Sequence, residues 1–147
     1  MNKLFIALIA LISLSTQASM VEHQTQTSET VVEMADTVVA QLGLNAEIVN
    51  AVVRVAKGES QFGLYDIDPV NGGTGLYHIT PQLEAKAWDI LSVEFRKRMV
   101  VKYHAGSVDM YQTAIVAILL DQMQKAYPEN DPVDLWVANY STGYFRR

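Results

Sequence analysis

"VAKGESQFGLYDIDPVNGGTGLYHITP" (residues 55–81) decides how this chain is read. An apolar pattern at helical spacing runs into Glu59, and a loop rich in Gly, Asp and Asn follows. "GTGLYHITP" closes the loop. Thr80 and Pro81 give a helix start, a capping hydroxyl followed by proline at the first helical position. Upstream, Asn45 is placed to cap "AEIVNAVVRVAKGES", whose buried face is Ile48, Val52, Val55 and Ala56. Glu59 stands seven residues after Val52 and four after Val55, so it projects from that same apolar face. A lone carboxylate there is costly to ionise, because burial disfavours the charged form. A carboxylic acid that keeps its proton near neutral pH is what general-acid attack on a glycosidic oxygen requires. The alternative is a helix-end Glu that turns out to solvent or bonds a nearby amide.

Outward from this stretch the chain reads as mainly helical, with residues 63–79 the one place for a small β-hairpin or ordered loop. "TVVEMADTVVAQLG" has Thr30 and Glu33 spaced as a capping box and Gly43 as a stop, with Val31, Met34, Ala35, Val38, Val39 and Leu42 on one side. "PQLEAKAWDIL" follows Thr80, and residues 92–103 give a further short helix. Residues 109–126 are apolar at Ile115, Ile118, Leu119 and Met123, which predicts a central buried helix ended by Pro128. "DPVDLWVANYSTG" restarts a helix at Pro132 that breaks at Gly143. Trp88, at helical spacing with Leu91, is assigned to the core.

The 147 residues, half of them hydrophobic, suit one domain with its own core. The first 18 read as a secretory signal: Lys3, the apolar run "LFIALIALISL", then Thr16 and Ala18 spaced as before a cleavage site. An uncleaved anchor is the alternative, but the run is short for a bilayer span. Residues 19–29 are polar and aperiodic, a flexible leader, and the domain covers 30–147. The chain is therefore expected to be periplasmic or secreted, with no stable membrane span after cleavage. It has no cysteine, which leaves packing alone to hold it. Its net charge is -5; loss of Lys3 with the signal leaves 10 basic against 16 acidic residues, or -6. That balance argues against a nucleic-acid partner, which would need clustered Lys and Arg. The basic spots "FRKR" (residues 95–98) and Arg146-Arg147 read as a solvated face and a tail. His23, His78 and His104 are scattered and the sequence offers no His-x-x-x-His or acidic cluster, so neither metal nor other cofactor is expected.

"GES" (residues 58–60), "GLYHITP" (75–81) and "NYSTG" (139–143), in that order, resemble the motifs of the lysozyme-like lytic transglycosylases. Glu59-Ser60 matches the family's catalytic Glu-Ser. Gly75, Leu76, Ile79 and Pro81 match its Gly-Leu-Met-Gln-like phrase, with Tyr77 and His78 where Met and Gln are usual. Tyr140 and Gly143 match its Tyr-Asn-x-Gly-like phrase, with Ser141 in the Asn place. The resemblance spans residues 45–143. It implies a lysozyme-like (α+β) helical domain with a small loop or hairpin beside the active site, and peptidoglycan glycan strands as substrate. Glu59 would be the sole catalytic carboxylate. It would protonate the oxygen between N-acetylmuramic acid and N-acetylglucosamine, then take the proton of the sugar's own 6-hydroxyl as that oxygen closes a 1,6-anhydro ring. Ser60, Gly75, Leu76, Tyr77, His78, Tyr140 and Ser141 would bind substrate.

Each of these has a plainer reading beside it. Ser60 bonds Glu59 or substrate, or merely ends a helix. Gly72, Gly73 and Gly75 allow close approach to a sugar, or simply turn the chain. His78 donates to an N-acetyl carbonyl, as the family's Gln does, or is a buried structural histidine. Tyr65 and Tyr77 line a groove, and Tyr140 stacks beneath a sugar or packs in the core with Leu135 and Trp136. A muramidase acting on the same bond would use Asp66 or Asp68 to position water. A catalytically weak wall-binding assembly protein would keep the fold alone, and a helical scaffold with no sugar site would put Glu59 and Tyr140 on different sides. Enzymes of this kind serve wall turnover, conjugation or secretion machines, or phage, so an envelope-spanning machine is a further partner the resemblance admits.

Overall fold

A computed structural model describes residues 27–104 and 106–141. The signal, most of the leader, Gly143 and the terminal arginines lie outside the described residues. Six α-helices and one π-helical turn form among them: α1 (Ser28–Leu42), α2 (Ile48–Ser60), α3 (Pro81–Ile90), α4 (Val93–Met99), the π turn (Val100–His104), α5 (Val108–Ala126) and α6 (Pro132–Tyr140). The mainly helical reading therefore holds.

Five of the six α-helices start where a short polar side chain satisfies a free amide. Thr80, Ser92, Ser107 and Asp131 accept from Leu83, Phe95, Met110 and Val133, with Pro81 and Pro132 just inside their helices. Two starts differ from expectation. Thr27, not Thr30, caps α1 and accepts from the Thr30 amide, so residues 28 and 29 are helical rather than leader. Asn45 accepts from the Glu47 amide in a turn before α2 instead of capping it. Gly43 ends α1 at φ +67, a left-handed stop that costs glycine little.

The core forms around α5, which packs against α1, α2, α3, α6 and the π turn. Residues 111–121 are buried on every side, which fits a helix at the centre rather than on the surface. Against it lie Val31, Val38, Val52, Val55, Leu76, Met99 and Trp136. Burying each aliphatic side chain of this set is worth roughly 1.5–3 kcal/mol. Trp88 is only half-buried at the edge, its indole N–H donating to the Tyr111 hydroxyl.

Residues 61–80 form no strand. Two isolated antiparallel bridges, Ile67 with Thr74 and Thr74 with Ile79, order the loop instead. Gln61, Phe62 and Gly63 all have positive φ, so the chain reverses tightly as it leaves α2. Gly73 has to be glycine for a steric reason: a Cβ there would stand 2.3 Å from the His78 carbonyl oxygen. No helix among the described residues is long and apolar enough to cross a membrane.

Candidate functional site

The last turn of α2 carries Glu59 inward. It is 2% exposed, and both carboxyl oxygens have partners from distant segments. Trp136, from the middle of α6, donates its indole N–H to Oε1 at 2.8 Å. His78, from the loop, sets Nδ1 3.3 Å from Oε2. The other ring nitrogen, Nε2, lies 2.5 Å from the Tyr65 carbonyl oxygen. The carboxylate is thus buried as expected but not lone.

His78 is itself 4% exposed and adopts φ +51, a left-handed conformation that residues with a Cβ seldom take. Burial works against its imidazolium form. The hydrogen bond to Glu59, the Tyr65 carbonyl and the charges of Glu59 and Asp68 together outweigh that, and the imidazole pKa is raised. Asp68, 1% exposed, completes the cluster, with one donor atom from each of Glu59, Asp68 and His78 within 4.8 Å of the others. The acidic cluster that is absent as a sequence motif is therefore assembled by the fold. These three side chains are of the types that bind cations. Here, however, both His78 nitrogens face Glu59 and Tyr65, Glu59 also accepts from Trp136, and Asp68 Oδ1 accepts from the Val70 amide.

Ser60 does not bond Glu59. Its hydroxyl lies 2.7 Å from the Leu76 carbonyl oxygen and accepts from the Gly63 amide, pinning the end of α2 to the loop. Gly75, at φ +80, packs against Gln112, whose Oε1 would lie 2.0 Å from a Cβ. Leu76 and Tyr77, expected to bind substrate, with Tyr77 also expected to line a groove, are buried at 2% and 0% exposure, and Tyr77 packs toward α5. The Thr113 hydroxyl donates to the Asp109 carbonyl, so the Tyr77 hydroxyl donates to Thr113. Burial raises the Tyr77 pKa far above the ordinary phenol value. The left-handed φ at His78 turns its ring toward Glu59 while Tyr77 faces Thr113 on α5. Tyr65 stays exposed at its ring while its carbonyl holds His78.

Tyr140 is half-buried, edge-on to Trp136 at 5.1 Å, with the Lys86 ammonium 5.0 Å from its ring centre. One helical turn separates it from Trp136, so it lies on the face of α6 that reaches Glu59. Ser141 ends α6, its hydroxyl oxygen buried without a hydrogen-bond partner among the described residues. Asp66 is exposed, and its carbonyl accepts from the Gly75 amide.

Sequence reasoning missed two members. Trp136 was read as core, and nothing but its place one turn before Tyr140 marks it. Gln112, 8% exposed, sits beside the loop with Nε2 donating to the Thr74 carbonyl and Oε1 unpartnered. A glutamine inside the apolar run 111–120 was its visible signal. Comparison of the chain with protein-family models, with curated proteins and with solved structures found no match.

Proposed function

We propose that this chain is a periplasmic or secreted peptidoglycan lytic transglycosylase with a lysozyme-like domain, in which Glu59 is the catalytic acid and then the base. One observation carries the reading. Glu59 is buried at a helix end and gripped by His78 of "GLYHITP" and by Trp136, one turn before the Tyr140 of "NYSTG". Three elements that are far apart in sequence, α2, the loop and α6, converge on one carboxyl group, and Tyr140 packs against the third contact, Trp136. A buried, well-bonded carboxyl is suited to giving a proton to the glycosidic oxygen and then accepting one from the sugar 6-hydroxyl. The ring closure consumes no water, so a second catalytic carboxylate is unnecessary.

Hydrolysis with inversion fits less well. Inverting hydrolases hold their carboxyl groups roughly 6.5–9.5 Å apart to admit water, and retaining ones roughly 5–5.5 Å. Asp68 comes within 4.8 Å of Glu59, too near for inversion and closer to the retaining spacing, and Asp66 is exposed. The burial of Glu59 favours a second reading, a wall-binding protein with weak catalysis, because a glycan must displace something to touch it. Purified peptidoglycan digested with the wild type and with Glu59→Gln separates the readings by mass spectrometry. Anhydro ends from the wild type alone support the transglycosylase, reducing ends support a hydrolase, and binding without released product supports the wall-binding protein.

A further inference from the structure

His78 is held at both ends of its ring. The Tyr65 carbonyl can only accept, so the hydrogen bond at Nε2 requires a hydrogen on that nitrogen. Nδ1 then faces Glu59 Oε2, and a hydrogen bond there requires one proton on that edge. Either the carboxylic acid donates to a neutral imidazole, or the imidazolium donates to the carboxylate. At the other carboxyl oxygen the Trp136 indole is a donor only, which leaves the shared proton between Oε2 and Nδ1. The backbone fixes this arrangement. Thr74 and Ile79 exchange amide–carbonyl hydrogen bonds at 3.1 and 3.0 Å, bracketing His78 in its left-handed conformation. The charged groups facing His78 are Glu59 from α2 and Asp68 from the loop, while α6 brings only the neutral Trp136. Among the described residues Glu59 has no Lys or Arg ion pair; its one ionic partner is His78.

We propose that Glu59 and His78 form a single proton-sharing pair, in which His78 is the positioning residue that keeps one proton on the pair and aims the Glu59 carboxyl. The proposal rests on the transglycosylase reading for its chemistry. In the first step the pair gives its proton, through Glu59, to the glycosidic oxygen as the C1–O bond breaks and its electron pair stays on that oxygen. In the second step the sugar 6-hydroxyl oxygen bonds C1 and its proton returns to Glu59. The pair begins and ends with one proton, and no other reactant enters. His78 touches no sugar in this scheme. The family-like role of donating to an N-acetyl group is taken from it, because both of its nitrogens are engaged inside the protein.

Two measurements test this. Nitrogen-15 NMR of the labelled protein follows the His78 ring across pH. The ring should titrate above the ordinary histidine value of about 6.5, and Glu59→Gln should lower that value. Activity on purified peptidoglycan then compares the wild type with His78→Gln, which fills the space but does not titrate. The variant should lose about tenfold or more in kcat/KM at pH 7, within the range for acid–base support. The alkaline limb of its pH profile should move to lower pH, because a carboxyl alone releases its proton earlier than a carboxyl–imidazole pair does. Superimposable alkaline limbs, or a His78 titration at or below 6.5 that ignores Glu59→Gln, would overturn the pair. If the wild type releases no product, the lytic reading falls and the NMR titration alone decides the pair. If His78→Gln does not fold, the titration in Glu59→Gln decides it.

Discussion

Three carboxylates are buried among the described residues, Glu59, Asp68 and Asp121, and the two that sit on helices, Glu59 and Asp121, are managed in opposite ways. Asp121 on α5 is 5% exposed and takes its cation from one turn away: Lys125 Nζ lies 2.7 Å from it, on a side chain 73% exposed. The Asn45 amide adds a longer contact at 3.4 Å. Lys125 reaches water with its charge intact, so Asp121 is neutralised locally and cheaply. Glu59 has no such neighbour. Its partners arrive from 19 and 77 residues away, one is a histidine sealed in with it, and the other is an uncharged indole. A permanent cation at the surface gives a structural carboxylate. A partner that titrates near neutral pH, inside, gives one whose proton can be moved.

The comparison breaks first at the carboxyl groups themselves. Glu59→Gln should reduce product release from peptidoglycan by about a thousandfold or more, as expected when the only acid–base group is lost. Asp121→Asn should leave the rate within about twofold, though it lowers the unfolding midpoint. Equal losses from both would mean that Glu59 is only another buried acid. Next comes the loop that supplies His78. Gly73→Ala forces a Cβ to 2.3 Å from the His78 carbonyl, where backbone cannot yield without moving the ring. It should cost about 1–3 kcal/mol in denaturant unfolding and at least tenfold in rate.

What the sequence disclosed about these two sites follows from the range of their interactions. The α2 face from Ile48 to Ala56 places Glu59 inward by helical spacing, so the buried acid was legible. Thr80 and Pro81 announced α3 through purely local chemistry. The contact with Trp136 was not legible, because nothing local distinguishes an indole that packs from one that packs and donates. The sides taken by Tyr77 and His78 were also hidden. Neighbouring residues on an irregular loop diverge according to φ, and His78 sits at a φ that its residue type does not signal. Asp121 escaped notice for the same reason that it is unremarkable: its solution lies within one helical turn. That the loop and α6 meet the end of α2 at Glu59 is displayed only by the fold.

Trp136→Phe sharpens the comparison by removing the indole N–H, together with the ring atoms by which indole exceeds phenyl. It leaves Glu59 Oε1 buried without its donor, which should cost about 1–3 kcal/mol on top of the cavity left at this fully buried position, read from urea unfolding. If the cost is near zero, water reaches the carboxyl and the site is open rather than sealed.

The smallest effects separate the two acids by pH. His78 has its folded pKa raised above the unfolded value, so the stability that its pairing supplies is fully present below about pH 6.5 and is lost as pH rises through the folded value. Wild-type stability should therefore fall relative to Glu59→Gln on the alkaline side, with a slope of at most about 1.4 kcal/mol per pH unit for one proton. Lys125→Ala should cost only about 0.3–0.5 kcal/mol, because the ammonium is mostly solvated, and should leave that slope unchanged. The pairing makes the sign firm: a proton binds more tightly to the folded site than to the unfolded chain, so raising pH must work against folding. A slope in the opposite direction would mean that burial wins at His78 and that the folded Glu59–His78 pair holds its proton less tightly than the unfolded chain does, which would sink the proton-sharing pair.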